Sequence, residues 1–256
     1  MYILADIGGT KTRIAASDDL EKFGEPVVRA TMQEYDAELD EIVQTAKKLS
    51  GGQIDRVIMG KPLWNMWPAF ERDLQTRLDA PLHIENDVAL VGLGEWKYGA
   101  GKGASIFVYI TVSTGVNGVR IIDGKIDVSK QGFEIGGQYL SMGDAPQTLE
   151  NLVSGTAVAK RFSVASPKEL GKDNPAWDEL ARTLAFGVHN SILHWSPDRV
   201  VIGGSMVNDI GISVERVREH VVSIMKKFPN TPEITHSKLG DFGGLWGGMA
   251  RLKQMR

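Results

Sequence analysis

The feature that most constrains this chain is a strand, a glycine-bearing turn and a second strand, met twice. It occurs first as LADIGGTKTRIAAS, residues 4–17, and again as TVSTGVNGVRI, residues 111–121. Near-continuous apolar residues on either side of a glycine pair read as a hairpin, with Gly8 and Gly9 expected to supply positive φ or a close backbone approach. Taken alone, the first stretch is equally an ordinary tight hairpin with a polar tip. That reading leaves Asp6 unexplained, because an ionised carboxylate at the end of a buried strand is costly unless paired or near a cation. Asp6, the amides of Gly8 and Gly9, the Thr10 hydroxyl and Lys11 together offer anion donors and one carboxylate able to hold Mg²⁺ through water. Two such turns, each opening an α/β region, suggest that both offer backbone N–H groups to one phosphate chain.

The rest of the chain supplies those α/β regions. IDRVIMG (54–60) and LHIEND (82–87) read as strands, and Leu39, Ile42, Val43, Ala46 and Leu49 share one helical face that Gly51 and Gly52 terminate. SIFVYITV (105–112) is β-branched and aromatic, as a central strand should be, and GVRIIDGKIDV (118–128) is a hairpin about Asp123-Gly124. Pro175 opens a helix carrying Trp177, Leu180, Ala181, Leu184, Val188, Ile192 and Trp195, and residues 210–228 read as one long amphipathic helix. The alternating pattern suggests two similar lobes, with YGAGKGA (98–104) as the hinge region; lobes 1–103 and 104–242 are expected, with a C-terminal helix over about 243–256 packing back on the first.

Composition narrows the function classes. A net charge of −3 with both signs interspersed offers no electrostatic footprint for nucleic acid, and no apolar run approaches a membrane span. The absence of cysteine excludes disulfides and thiolate metal sites and fits a reducing compartment. No basic, cleavable leader and no DNA-binding helix pair precede the first strand, so a cytoplasmic enzyme or binding protein is expected.

Two further segments bear chemistry. VVIGGSMV (200–207) puts Gly203 and Gly204 at the carboxyl end of a strand, where open α/β sheets bind ligands, although taken alone this piece is better explained as a glycine turn made for packing. IENDVALVGLGE (84–95) places Asn86 and Asp87 at a strand-to-helix junction. Either residue is suited to capping the helix, and Asp87 is also where a base would receive a hydroxyl proton during phosphoryl transfer.

The ordered set DIGGTK, ENDVALVGLGE, TVSTGVNG, GFEIGG, LENLVSGTAVA, VVIGG and GDFGGLWGG resembles the ROK family over essentially the whole chain. That family includes bacterial sugar kinases of the glucokinase and N-acetylhexosamine kinase kind, with the two-lobed actin/hexokinase-type ATPase fold of ribonuclease H-like lobes. The resemblance implies an ATP-dependent hexose kinase and a homodimer. Asp6 would organise Mg²⁺; Gly8, Gly9, Thr10 and Lys11 would form the first phosphate loop, Thr114 and Gly115 the second; Gly203 and Gly204 would line the adenosine site. Asp87 corresponds to the catalytic base, Asn86 to a sugar-hydroxyl ligand, and Glu134 and Glu150 to sugar-binding carboxylates. A sugar or nucleotide sensor on the same scaffold, or a kinase with a non-sugar acceptor, remains as an alternative.

The chain departs from the family in one place. Gly137 stands where the family carries histidine, and Ser141, Gly143 and Thr148 stand where many members carry zinc-binding cysteines. A whole ligand set missing together implies a zinc-free variant. The histidines His83, His189, His194, His220 and His236 are scattered and offer no replacement. In KPLWNMWP (61–68), Trp67 heads an apolar stripe with Phe70 and Leu74 and is expected in the core, whereas Trp64 is open to stacking on a sugar face.

Overall fold

The computed structural model describes residues 1–61 and 69–256, so the readings of Trp64 and Trp67 lie outside the described residues. The chain forms two units: Met1–Lys97 with Asp241–Arg256, and Tyr98–Gly240.

The first unit is built on a five-stranded sheet in the order β3-β2-β1-β4-β5. Its strands are β1 (Tyr2–Ile7), β2 (Lys11–Ser17), β3 (Val27–Ala30), β4 (Arg56–Lys61) and β5 (Leu82–Asn86). β1, β2 and β3 pair antiparallel, as short turns allow. β1, β4 and β5 are parallel and therefore need crossovers, which α1 (Tyr35–Ser50) and α2 (Phe70–Leu78) accompany. Period-two alternation sends Ile3, Ala5, Ile7, Val57 and Met59 to the face packed on Leu39, Ile42 and Ala46 of α1 and Phe70, Leu74 and Leu78 of α2. α1 stops where Gly51 adopts φ 64° and returns its N–H to Lys47 O.

The opposite face, with Leu4 and Ile58, meets α8 (Gly243–Gln254), which in turn lies on α3 (Asp87–Tyr98). Glycine makes that helix contact possible: a Cβ on Gly247 would sit 1.7 Å from Leu90 O, and one on Gly94 would sit 2.5 Å from Gly243 O. The GGLWGG run of α8 therefore brings two helix backbones together.

The second unit repeats the topology. Its sheet runs β10-β9-β6-β7-β8, built from β6 (Ile106–Val112), β7 (Val116–Ile122), β8 (Lys125–Ile126), β9 (Arg199–Gly203) and β10 (Glu233–His236). Again the opening strands form an antiparallel meander and the later two add in parallel. Asp123 and Gly124 join β7 to β8 at φ 47° and 78°, the paired positive values that a primed hairpin turn demands. Helices α4 (Leu149–Val153), α5 (Gly155–Phe162), α6 (Ala176–Trp195) and α7 (Val214–Ile224) complete the unit, and α6 buries Trp177, Leu180, Leu184, Val188 and Ile192 as its spacing predicts.

The long helix expected over residues 210–228 is broken. Met206–Ile210 forms a single π-type turn, and α7 begins only after Ser213, whose hydroxyl accepts from Arg216 N, and ends at Ile224. Gly211 lies against the indole of Trp177, where a Cβ would sit 2.3 Å from a ring atom. Close approach at Gly211 and a serine cap two residues later outweigh the apolar period that continues across them.

Candidate active site

The first glycine turn joins β1 to β2. Gly8 N–H donates to Lys11 O at 3.0 Å, while Gly9, Thr10 and Lys11 are exposed. Neither glycine adopts positive φ. Gly8 is needed for close approach, since its Cβ would lie 3.3 Å from Lys11 O, but a Cβ on Gly9 would meet nothing within 4 Å. Packing among the described residues thus gives no reason for glycine at position 9.

Asp6 precedes this turn, 7% exposed, with its carboxyl wedged between two glycines. A Cβ on Gly244 of α8 would lie 2.7 Å from Asp6 Cγ, and one on Gly60 at the end of β4 would lie 3.6 Å from Asp6 Oδ1 and 3.3 Å from Asp87 Cα. Gly60 therefore lets the backbone of Asp87 and the carboxylate of Asp6 converge. Burial raises the Asp6 pKa to about 7; Arg13 opposes the rise, and the charges of Asp87 and Asp241 add to it. Arg13 faces Asp6 across the hairpin and bridges it to Asp241, at 3.5 Å and 3.3 Å, and Lys11 Nζ lies 3.5 Å from the same Asp241 oxygen. Against the burial that would raise it, Arg13 and Lys11 hold Asp241 below the ordinary carboxylate range.

Asn86 ends β5 and Asp87 starts α3. The capping role belongs to Asn86, whose Oδ1 accepts from Ala89 N at 3.0 Å. That bond fixes the side chain and leaves its Nδ2 donors for a partner. Asp87 Oδ1 accepts from its neighbour Val88 N at 2.9 Å.

In the second unit, the turn after β6 is backed by α5: Gly155 N–H donates to Ser113 O at 2.7 Å, and Thr156 Oγ1 donates to Thr114 O at 2.9 Å. Glu150 Oε2 accepts from Val116 N at 2.8 Å, close enough that a Cβ on Gly115 would sit 2.7 Å from that oxygen. Glu134, although exposed, has its pKa raised, by desolvation first and the Glu150 charge second, with Asn117 opposing. The two predicted sugar carboxylates therefore share an electrostatic neighbourhood with the second glycine turn.

Gly203 and Gly204 are both required by packing. A Cβ on Gly203 would lie 2.6 Å from the Tyr109 hydroxyl, and Gly204 adopts φ 94° beside Val112 O. Gly137 differs, since a Cβ there would meet nothing within 4 Å. The residues at the family's zinc positions have local work instead. Thr148 caps α4 by accepting from Asn151 N, Ser141 Oγ accepts from Gln147 N, and Gly143 adopts φ 134°. Among the described residues no group of three or more His, Cys, Asp or Glu is placed to hold a metal ion.

Arg13, Gly60, Asp241 and Gly244 are site neighbours that motif reading passed over. Hairpin register was the available signal for Arg13: a turn centred on Gly9-Thr10 places it directly opposite Asp6.

The ROK family model matches residues 2–255. The chain belongs to the ROK family. This ROK protein is 26% identical over 203 residues to a fructokinase from Pediococcus pentosaceus, with 74% of the chain and 69% of that relative covered. It is 30% identical over 190 residues to a fructokinase from Zymomonas mobilis, covering 66% of the chain and 62% of the relative. The chain thus spans about two thirds of the length of these curated relatives. Among solved structures, a ROK family glucokinase from Streptomyces griseus in complex with glucose and AMPPNP superposes with a TM-score of 0.81 at 21% identity, covering 100% of this chain and 99% of that one. The ROK fold is shared over the whole chain. No helix among the described residues is long and apolar enough to cross a membrane.

Proposed function

We propose that the chain is an ATP-dependent kinase that phosphorylates a hydroxyl of a hexose or hexose derivative. One observation carries this reading: Asp6 and Asp87 converge at Gly60, beside a turn whose second glycine has no packing partner of its own. A glycine without an internal reason is where a ligand's phosphate can approach the backbone. Membership of the family and the likeness to fructokinases support the acceptor class.

In this reading Gly8, Gly9, Thr10 and Lys11 bind the triphosphate, Thr114 and Gly115 add a second set of amides, and the backbone at Gly203 and Gly204 lies against the adenosine. Asn86, Glu134 and Glu150 bind the sugar hydroxyls. Asp87 accepts the proton of the acceptor hydroxyl as its oxygen bonds to the γ-phosphorus; the bond from that phosphorus to the bridging oxygen breaks, and ADP leaves with its electron pair. Lys11 and the turn amides offset charge on the phosphoryl oxygens.

The donor set also fits a magnesium ion. Mg²⁺ takes one or two carboxylates and completes its shell with water and substrate phosphates, so Asp6, buried and paired at 3.5 Å with Arg13, suffices without a cage of ligands. When bound, the ion would neutralise charge on the phosphates. The resemblance further implies a homodimer, which sedimentation at working concentration reads directly.

The test is Asp87→Asn with a panel of hexoses, Mg-ATP and a coupled assay for ADP. Turnover is expected to fall by about 10² to 10⁴ while nucleotide binding persists. A variant with near-normal turnover removes the base from the mechanism, and calorimetric sugar binding by the unmodified protein without ADP release from any sugar makes it a sensor instead.

A further inference from the structure

Helix α1 carries a carboxylate that the reaction does not use and that water does not reach. Glu38 is 0% exposed. Its oxygens accept from Arg29 at 2.6 and 3.0 Å, from Met32 N at 2.9 Å and from the Thr12 hydroxyl at 2.9 Å. A charge taken fully from water is tolerated only with this degree of pairing, and a hydrophobic residue of similar volume would often serve stability as well. The residues it gathers indicate a different purpose.

Arg29 and Met32 flank the exit of β3, and between them lies Thr31. The Thr31 hydroxyl is 3.1 Å from the Thr12 hydroxyl and donates to Gly8 O at 2.8 Å, while Thr31 N–H donates to Thr10 O at 3.1 Å. One residue therefore grips the phosphate turn by the carbonyls on either side of Gly9. The peptide between Gly8 and Gly9 is planar and trans, so its C=O and N–H point in opposite directions. Holding Gly8 O toward Thr31 turns the Gly9 N–H the other way, out of the protein. With glycine on both sides of it, that peptide would otherwise be free to rotate in the exposed turn.

We propose that Thr31, anchored by the buried Glu38 through Met32 N and Arg29, is a positioning residue that aims the Gly9 amide at the nucleotide's phosphate. The inference rests on the phosphate-binding reading of the turn and assigns it a brace from behind. Preorganisation of this kind acts on nucleotide affinity, because the donor no longer has to be ordered on binding.

The variants are Thr31→Val, which keeps the β-branched shape and removes the hydroxyl, Thr31→Ser, which restores it, and Glu38→Gln. Thr31→Val is expected to raise the KM for ATP and the calorimetric Kd for Mg-AMPPNP by about three- to tenfold, the worth of one hydrogen bond. The KM for the sugar and kcat at saturating ATP should move less than about twofold, and Thr31→Ser should return ATP affinity to the starting value. Glu38→Gln should shift ATP affinity in the same direction; if it does not fold, the Thr31 pair still decides. An amide spectrum separates the two levels of the proposal. If the Gly9 resonance of the unmodified protein ignores Mg-AMPPNP, the phosphate-turn reading is wrong. If it responds, and Thr31→Val binds nucleotide as tightly as the unmodified protein, the turn reading stands and the bracing role is overturned.

Discussion

The two sheets have one topology and unlike chemistry. In each, an antiparallel hairpin opens the unit and two parallel strands follow, so β1 corresponds to β6 and β4 to β9. The same register pairs Asp6 with Gly60 in the first sheet and Thr111 with Gly203 in the second. Both glycines are crowded, Gly60 by Asp87, Asp6 and Leu90, Gly203 by the Tyr109 and Ser237 hydroxyls. The turns within the hairpins differ in the same sense. The buried Glu38, paired with Arg29, holds the segment that carries Thr31 through Met32 N and so braces the first, whereas the backbone of α5 and a serine pair, Ser113 with Ser205 at 3.1 Å, support the second. Apolar packing dictates the strand order of both units, while a few register positions decide which unit concentrates charge.

The largest effect should come from exchanging chemistry at the matched positions. Asp6→Asn is expected to lower kcat by roughly 10² to 10³, the scale of losing a preorganised electrostatic group, and Thr111→Val to change it only a few-fold. Both are read in the coupled ADP assay. Equal losses at the two positions would mean that the charge asymmetry between the sheets has no catalytic meaning.

Next in size is a pH dependence confined to the first unit. The folded-state pKa of Asp6, about 7, lies above the 3.8 of an unconstrained aspartate, so the folded protein holds this proton more tightly than the unfolded chain. The stability it contributes is complete below about pH 4 and is lost as pH rises through about 7. Asp6→Asn removes the titration and should be more stable than the unmodified protein at about pH 8, by on the order of a few kcal/mol, with the gap closing toward about pH 4. Denaturant midpoints across that range check it, and a gap that stays constant with pH would show that Asp6 is ionised throughout.

The strands at both hairpins, at residues 54–60 and at 198–204, and the helices after Pro175 and around Leu39 to Leu49 were legible because apolar period and glycine punctuation act locally. The bracing of the first turn was not. Glu38 falls one residue before the apolar stripe of α1, where a charged side chain reads as solvated, and its partner Arg29 lies on β3, an edge strand with little apolar pattern of its own. Only the folded β2–β3 pairing brings Thr12 and Arg29 to one carboxylate, with Thr31 beside Thr12. β10 was missed for a related reason: Glu233–His236 is four residues long and alternates weakly. Pairs such as Arg13 with Asp6 were within reach of register counting, since a hairpin of known turn fixes every opposite residue.

The smallest effects sharpen the comparison most, because they set a glycine needed by a ligand against a glycine needed by the protein. At Gly9 a methyl group meets nothing, and the backbone is not in the left-handed region, so Gly9→Ala should leave stability within about 0.5 kcal/mol and weaken Mg-AMPPNP binding alone. At Gly115 the methyl group would lie 2.7 Å from Glu150 Oε2, the far end of a side chain able to swing aside, so Gly115→Ala should also fold. Its cost falls elsewhere: displacing that carboxylate breaks the bond from Val116 N and moves Glu150 relative to Glu134, and the KM for the sugar should rise several-fold. Glu150→Gln, which keeps the contact with Val116 N, should show a smaller stability change than Gly115→Ala and a comparable loss of sugar affinity. A Gly115→Ala variant that bound sugar normally would mean that Glu150 supports the second turn rather than the acceptor, leaving Glu134 as that unit's carboxylate for the sugar.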